Sequence, residues 1–209
     1  AVPQAPDRVR GRLTPLRPRA HRPAIAATLL VAWMGVGDYF GRPPLPGEGA
    51  ADWLADGMTP RLLAASALLG GAALLLRWRG TGLGLPAPRG LVALWPAALY
   101  FALLALALRA AGPPPALLLA LAGPTLLIAV SEEAMFRGFL YAGLRDRLTI
   151  LRAGLACSLL FGAVHVLNVQ VTGDLRGALL QSVNATFLGL YLMGLRLAEG
   201  VELARLAAL

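Results

Sequence analysis

Residues 131–140 read SEEAMFRGFL and place three charged side chains, Glu132, Glu133 and Arg137, inside a long apolar run. On a helix, Glu133 and Arg137 are one turn apart with the acid N-terminal, which is the order that favours an ion pair. Glu132 is rotated by about 100° from Glu133, so it can face a cavity instead. A carboxylate in a poorly hydrated cavity suits general-base catalysis. A purely structural ion pair is the alternative interpretation, but it leaves Glu132 without a partner.

The next apolar run contains LLFGAVHVLN, which places Phe161 and His165 one turn apart on a helix face. Asn168 follows three residues later and is expected to share that face. A single histidine in an apolar segment is more often a hydrogen-bonded packing residue than a functional one. We take Phe161 and Asn168 as supporting residues, and we take His165 as a catalytic candidate whose depth in the membrane favours function.

Arginines at the predicted helix ends serve as depth markers. Glu133, His165 and Asn184 lie 12, 13 and 12 residues from the nearest marker. The markers are Arg145, Arg152 and Arg196. At 1.5 Å per residue, the three polar side chains are about 18–20 Å from the markers, so they are expected to meet in one plane with Glu132. Access from the side of the arginines is expected. Asn184 is equally compatible with a role in packing between helices.

The surrounding chain has the composition of a membrane protein. Of its 209 residues, 57% are hydrophobic and only 14% are charged, whereas a soluble domain is about 25% charged. Six apolar runs are found, at about 24–40, 61–76, 91–108, 116–140, 153–169 and 177–195. A helix of roughly 20 residues crosses the hydrocarbon core. The sequence therefore predicts an all-α fold, a polytopic integral membrane bundle with about six transmembrane helices.

The charged residues between the runs predict the orientation. Arginine-rich loops alternate with arginine-poor loops, so the positive-inside rule places the N-terminus in the cytoplasm of a multi-pass protein of the cell membrane. The basic arm and first run are also compatible with a signal peptide, although no small-residue cleavage site follows them. The net charge of +8 does not indicate nucleic-acid binding, because the arginines flank apolar runs. Cys157 is the single cysteine, which excludes an internal disulfide and fits a small core residue.

Two motifs give the chain a family resemblance. EEAMFR at 132–137 fits EExxxR, and FGAVH at 161–165 fits FxxxH. With their flanking residues, over about 116–200, they resemble the CPBP intramembrane proteases, which include CAAX prenyl endopeptidases and bacteriocin-processing or self-immunity (Abi) proteins. The resemblance implies that Glu132 activates water for attack on a peptide bond, and that Glu133 supports it with Arg137 as structural partner. It also implies that His165 orients the water or stabilises the oxyanion.

The resemblance leaves the cofactor and the extent of the domain open. The family is often labelled a metalloprotease, which implies zinc held by Glu132 or Glu133 together with His165; a metal-free glutamate mechanism is equally open. The family's later HxxxN or HxxxD motif is absent, since the other histidine, His21, lies in the N-terminal arm. We therefore expect a basic arm at 1–22, transmembrane helices at 23–115 and a C-terminally truncated CPBP-like catalytic domain at 116–209.

Three functions compete at this stage. The first is an endopeptidase whose partners are the lipid bilayer and a protein or peptide substrate at the membrane, with no nucleic acid. The second is a transporter or channel in which Glu132, Glu133 and His165 relay protons or ions. The third is a catalytically silent membrane scaffold or immunity protein. The internal repeats that are typical of many transporters are not visible in the sequence.

Overall fold

The protein was analysed as a computed structural model, and the part of the chain that it describes is helical and contains no strand. The structure describes residues 21–40, 45–48, 52–76, 99, 102–103, 105–107, 110, 112 and 115–206. The predicted all-α bundle is confirmed. The N-terminal arm up to residue 20 and most of the predicted span at 91–108 lie outside the described residues.

Five long helices form the described bundle. They are α1 Arg22–Phe40, α2 Thr59–Leu76, α3 Pro115–Glu132, α4 Ile150–His165 and α5 Leu175–Leu206. Each contains one of the predicted apolar runs or most of it. Within the described residues, three helical segments are long and apolar enough to cross a membrane, namely Asp56–Leu76, Ile150–Thr172 and Leu175–Leu197. The first helix contains a shorter apolar segment, Arg22–Val36.

Short helical turns extend three of these helices. A π-helical turn, Trp53–Met58, leads into α2. The end of α3 continues without a break into a π-helix, Glu133–Leu140, and then into one α-helical turn. The end of α4 continues through a 3₁₀ turn, Val166–Asn168, and one further helical turn. Two of these changes of helix type fall directly after Glu132 and His165, and π-helical segments occur frequently at functional sites.

The turn between α4 and α5 has capping residues at both sides. Gly173 adopts the left-handed conformation with φ 69° and ends the α4 extension, where a residue with a Cβ would be strained. Asp174 follows, and its Oδ1 accepts a hydrogen bond from the Gly177 backbone N–H at 2.9 Å, as expected of an N-cap. The two caps fold α5 back against α4 as an antiparallel neighbour.

Small residues bring α4 and α5 into close contact. Gly154, Ser158 and Gly162 recur every fourth residue along α4. A Cβ atom at Gly162 would collide with the hydroxyl of Thr186 and would lie 2.7 Å from the backbone oxygen of Ser182. Such small-residue spacing is typical of helix pairs in membranes, where close backbone approach replaces the hydrophobic effect.

The outer face of α4 is apolar and exposed. Leu151, Leu155 and Leu159 are 76%, 51% and 52% exposed, and their four-residue spacing places them on one face. Exposed leucines in this number are unfavourable in water but match the hydrocarbon of a bilayer. The buried core of the described residues combines four aromatic side chains with alanine, leucine and methionine. It also contains Cys157, which is 1% exposed as predicted for a core residue.

The arginine-rich turn between α3 and α4 marks one end of the bundle. A Cβ atom at Gly143 would lie 2.6 Å from Cβ of Ala26, so the end of the α3 extension packs against the start of α1. The Arg196 guanidinium lies over the Tyr141 ring at 4.8 Å from its centroid. We call this region the arginine-rich end and define it by Arg145, Arg147, Arg152 and Arg196. The arginines used as depth markers therefore share one end of the molecule.

Candidate active site

Glu132 and His165 face each other across two helices. Glu132 is the last residue of α3, and His165 is the last residue of α4. Glu132 Oε1 lies 4.0 Å from His165 Nε2, and the two side chains are only 23% and 14% exposed. The structure thus brings together the acid and the histidine that the depth argument expected to meet.

The ring of His165 has a defined orientation. Its Nδ1 is 2.7 Å from the backbone oxygen of Phe161. A carbonyl oxygen can only accept a hydrogen bond, so Nδ1 carries the hydrogen and donates it. In the neutral ring, Nε2 then presents its lone pair towards Glu132. A separation of 4.0 Å is too long for a direct hydrogen bond, but it leaves room for a water at about 2.8 Å from each group.

Aromatic rings pack beside the His165 ring. The Phe161 ring meets His165 edge-on with centroids 4.9 Å apart, and it meets Phe136 in a similar way at 5.1 Å. The Arg137 guanidinium lies 4.2 Å from the centroid of the Phe161 ring, which is a cation–π contact. Phe161 therefore has the supporting position that its spacing from His165 predicted.

Glu133 and Arg137 form the ion pair that their spacing predicted. Arg137 Nη1 lies 3.2 Å from Glu133 Oε1; the Arg137 side chain is 5% exposed, whereas that of Glu133 is 42% exposed. Neither Nη atom of Arg137 makes a hydrogen bond with proper geometry to the described residues. The pair is therefore held by charge and by the ring of Phe161. Glu133 is engaged by Arg137, while Glu132 stays directed at His165.

A cavity of about 310 Å³ lies in front of Glu132 and His165. Asn168 and Gln181 also line it, and the side-chain amide of Asn168 donates a hydrogen bond to Oε1 of Gln181 at 2.8 Å. Asn168 thus lines the cavity, and its supporting role stays a prediction. Asn184 lies exposed on α5 and is not among the described residues that line this cavity. Its alternative role in helix packing stays a prediction.

Sequence reasoning missed two contributions from the N-terminal helices. Arg61 of α2 lines the cavity. The feature of the sequence that could have indicated it is a single basic residue at the start of an apolar run. Trp33 of α1 also lines it, and its indole N–H donates to the Ser131 hydroxyl at 2.7 Å. The Trp33 ring also meets the edge of Phe136, with centroids 5.9 Å apart. No local pattern reveals a contact between residues 98 positions apart.

The cavity lies on the side of Glu132 and His165 that faces away from the arginine-rich end. Its lining comes from the second half of α1, the first half of α2, the α4 extension and the start of α5. Access from the side of the arginines was therefore the wrong expectation for this cavity, because the described residues on that side pack as core against Phe136 and Phe139.

The fit of a metal ion was tested on the donor set. A catalytic zinc usually takes three protein ligands and keeps one position for water. The described residues contain no group of three or more His, Cys, Asp or Glu side chains that could hold a metal ion. Glu132 and His165 supply two donors, and Glu133 is paired with Arg137 instead. The ligand set of Glu132, Glu133 and His165 is thus not assembled among the described residues.

The fold and the site define a helical membrane protein with a glutamate–histidine pair inside its bundle. A family model described as "Type II CAAX prenyl endopeptidase Rce1-like" matches residues 113–206. Over this segment, which is less than half of the chain, the match supports the resemblance to the CPBP intramembrane proteases that the motifs indicated. No curated protein and no solved structure matches the chain.

Proposed function

We propose that the protein hydrolyses a peptide bond in a membrane-associated protein or peptide, with Glu132 as the general base. The observation that carries this proposal is the 4.0 Å approach of Glu132 and His165 in front of one cavity. Ionisable groups oppose membrane insertion, each by roughly 2.5–3.5 kcal/mol at a helix centre. Glu132 and His165 both face the same cavity, and of the two adjacent glutamates only Glu133 is used in an ion pair. A catalytic role explains this arrangement better than a role in helix packing.

The reaction follows from the position of Glu132. A water between Glu132 and His165 attacks the carbonyl carbon of the scissile bond while Glu132 accepts one of its protons. The resulting tetrahedral intermediate carries the negative charge on the former carbonyl oxygen. Glu132 then returns the proton to the leaving nitrogen as the C–N bond breaks. The immediate products are a carboxylic acid and an amine, and Glu132 ends the cycle ionised. The proton of the new acid then passes to the amine, which gives a carboxylate and an ammonium group.

The ring orientation of His165 distinguishes between its two implied roles. Because Nδ1 donates to the Phe161 backbone oxygen, the neutral ring can only accept at Nε2. His165 therefore accepts a hydrogen bond from the attacking water and orients it. The second N–H of the Asn168 amide is a better donor for the oxyanion, because Gln181 engages only the other one.

The proposed location is the cell membrane, crossed several times, with the N-terminus in the cytoplasm. The support is the alternation of arginine-rich loops. With this orientation, the arginine-rich end faces the cytoplasm and the cavity lies in the opposite half of the bundle. Substrate and water then reach Glu132 from the non-cytoplasmic side.

Cleavage of internally quenched peptides by purified protein in liposomes tests the proposed function. Glu132→Gln is expected to lower kcat by about 100-fold or more, as loss of a general base does, and His165→Ala is expected to act in the same direction. Asn184→Ala is the matched control, since this residue is exposed and outside the cavity. Equal cleavage by the Glu132→Gln variant and the parent would refute the assignment. Ion flux that depends on Glu132 would instead favour the relay.

A further inference from the structure

Arg61 shares the cavity with Glu132 and His165, although it belongs to another part of the chain. It is the third residue of α2 and lies outside residues 113–206, which the family model matches. Its side chain is partly buried, in a helical segment that is apolar enough to cross a membrane. An ionisable side chain in such a segment generally serves a polar cavity, because it opposes insertion otherwise.

The cavity has few charged side chains, and each suits a different task. Among the described lining residues, Glu132 and Arg61 carry the formal charges, and Asn168 and Gln181 are neutral polar groups. The Glu132 carboxylate faces His165, and its proposed task is to accept a proton from the reacting water. Arg61 lines the same cavity, and its fork of N–H donors suits a second task, which is to hold an anionic group of the substrate.

The arrangement of N–H donors on a guanidinium indicates which anionic group of the substrate it would hold. Its planar fork of N–H donors matches the two oxygens of a carboxylate, and such pairs are stronger in a site with little water. A peptide carries carboxylates in two places, on acidic side chains and at its C-terminus. We propose that Arg61 binds a carboxylate of the substrate and thereby places the scissile carbonyl next to Glu132. This inference rests on the proposed endopeptidase function.

The size of the cavity limits where the carboxylate sits. At about 310 Å³ it is at the lower end of the range for ligand pockets, roughly 300–1,000 Å³. It therefore holds a short stretch of peptide, and the bound carboxylate lies within a few residues of the scissile bond. Met34, Met58 and Leu62 supply apolar lining beside Arg61. The substrate class is thus a peptide segment with one carboxylate next to apolar side chains.

Four matched peptides test the proposal. They share one apolar sequence, an N-terminal palmitoyl chain and a quenched fluorophore, and they differ by Glu against Gln and by a free acid against an amide at the C-terminus. The parent protein in liposomes is expected to prefer a carboxylate-bearing peptide over the Gln-amide peptide by about 10- to 100-fold in kcat/KM, mainly through KM. Arg61→Gln is expected to abolish that preference. Arg61→Lys retains the positive charge but loses the fork of donors, so it should weaken the preference without abolishing it.

The outcomes separate the inference from the function on which it rests. A preference that follows Glu identifies a side-chain carboxylate, and one that follows the free acid identifies the C-terminus; both support the proposal. Equal cleavage of all four peptides by the parent, or an equal loss on all four in Arg61→Gln, would overturn it. Binding of the same peptides to the Glu132→Gln variant, measured by fluorescence anisotropy, reports carboxylate recognition without cleavage. Carboxylate-dependent binding without cleavage by the parent would therefore reject the proposed function alone.

Discussion

Glu132 and Glu133 are adjacent in the chain and have different surroundings. The π-helix that begins at Glu133 directs its carboxylate to Arg137, whereas Glu132 ends α3 and is directed at His165. The pair is not an ordinary buried salt bridge, because Glu133 is 42% exposed and Arg137 makes no well-formed hydrogen bond to the described residues through its Nη atoms. The ion pair keeps Glu133 and the Phe161 ring in place beside Glu132, the proposed general base.

Removal of Arg137 alone should destabilise the protein. We expect Arg137→Met to lower the free energy of unfolding by about 1–3 kcal/mol, below the ~3–5 kcal/mol of a fully buried pair, because Glu133 is partly solvated. The double variant Glu133→Gln/Arg137→Met should recover most of the loss, since it no longer leaves an unpaired charge. Equilibrium unfolding in mixed micelles measures the free energy of unfolding of both variants. Equal stability of the single and double variants would show that the two charges are not coupled.

The motif residues could be predicted from the sequence, but their partners could not. The spacing of Glu133 and Arg137 predicted their ion pair, and the spacing of Phe161 and His165 predicted one shared face. The positions of Arg61 and Trp33 depend on how α1 and α2 pack against α3, and local sequence patterns do not predict how helices pack. Asn184 has a matching depth but does not line the cavity, because depth does not fix which way a side chain points around its helix.

At the scale of the helices, the contact between α4 and α5 holds His165 in place. Their closest approach is at Gly162, three residues before His165. A shift of α4 at this point would move Nε2 of His165 relative to Glu132. The stability of this helix pair and the geometry of the site are therefore linked.

Gly162→Ala should weaken the helix pair. The added Cβ collides with the Thr186 hydroxyl and the Ser182 backbone oxygen, so we expect a loss of about 1–3 kcal/mol in unfolding free energy, as for other overpacked sites. Gly194→Ala on α5 is the matched control, because a Cβ there meets no atom within 4 Å. It should be neutral or up to about 1 kcal/mol more stable, since alanine favours helix. Thermal unfolding in micelles compares the two, and equal effects would contradict the close contact.

The helices themselves could be predicted, but their ends and types could not. Apolar runs at 61–76, 153–169 and 177–195 correspond to helices that are long enough to cross a membrane. Hydrophobicity does not set where a helix stops, so α5 continues past the predicted end to Leu206. The π-helix at Glu133–Leu140 was also not predicted, because a change from α- to π-helix adds one residue to a turn without changing the apolar pattern.

At the scale of the molecule, the arginines and the cavity lie in opposite halves of the bundle. The arginine-rich end is closed by packing between α1 and the α3 extension. The cavity lies in the other half, in front of Glu132. Orientation in the membrane therefore decides from which compartment a substrate arrives.

Labelling of single cysteines tests this orientation. Arg147→Cys and Arg176→Cys place exposed thiols at opposite ends of α4 and its extension, and the native Cys157 is buried. In intact cells, a membrane-impermeant maleimide should label Arg176→Cys, and it should label Arg147→Cys only after permeabilisation. The parent protein should stay unlabelled. The reverse pattern would place the N-terminus outside, and labelling of both thiols from one side would contradict a membrane-spanning α4.

The central claim is that Glu132 activates a water and does not itself attack the peptide bond. Single-turnover cleavage of a quenched, membrane-anchored peptide in H₂¹⁸O, followed by mass spectrometry of the products and of the protein, tests it most directly. Activation of water by Glu132 predicts one ¹⁸O atom in the new carboxylate of the product and none in the Glu132 side chain. It also predicts that Glu132→Gln forms product at least about 100-fold more slowly. Incorporation of ¹⁸O into Glu132, or unchanged cleavage by the variant, would contradict it.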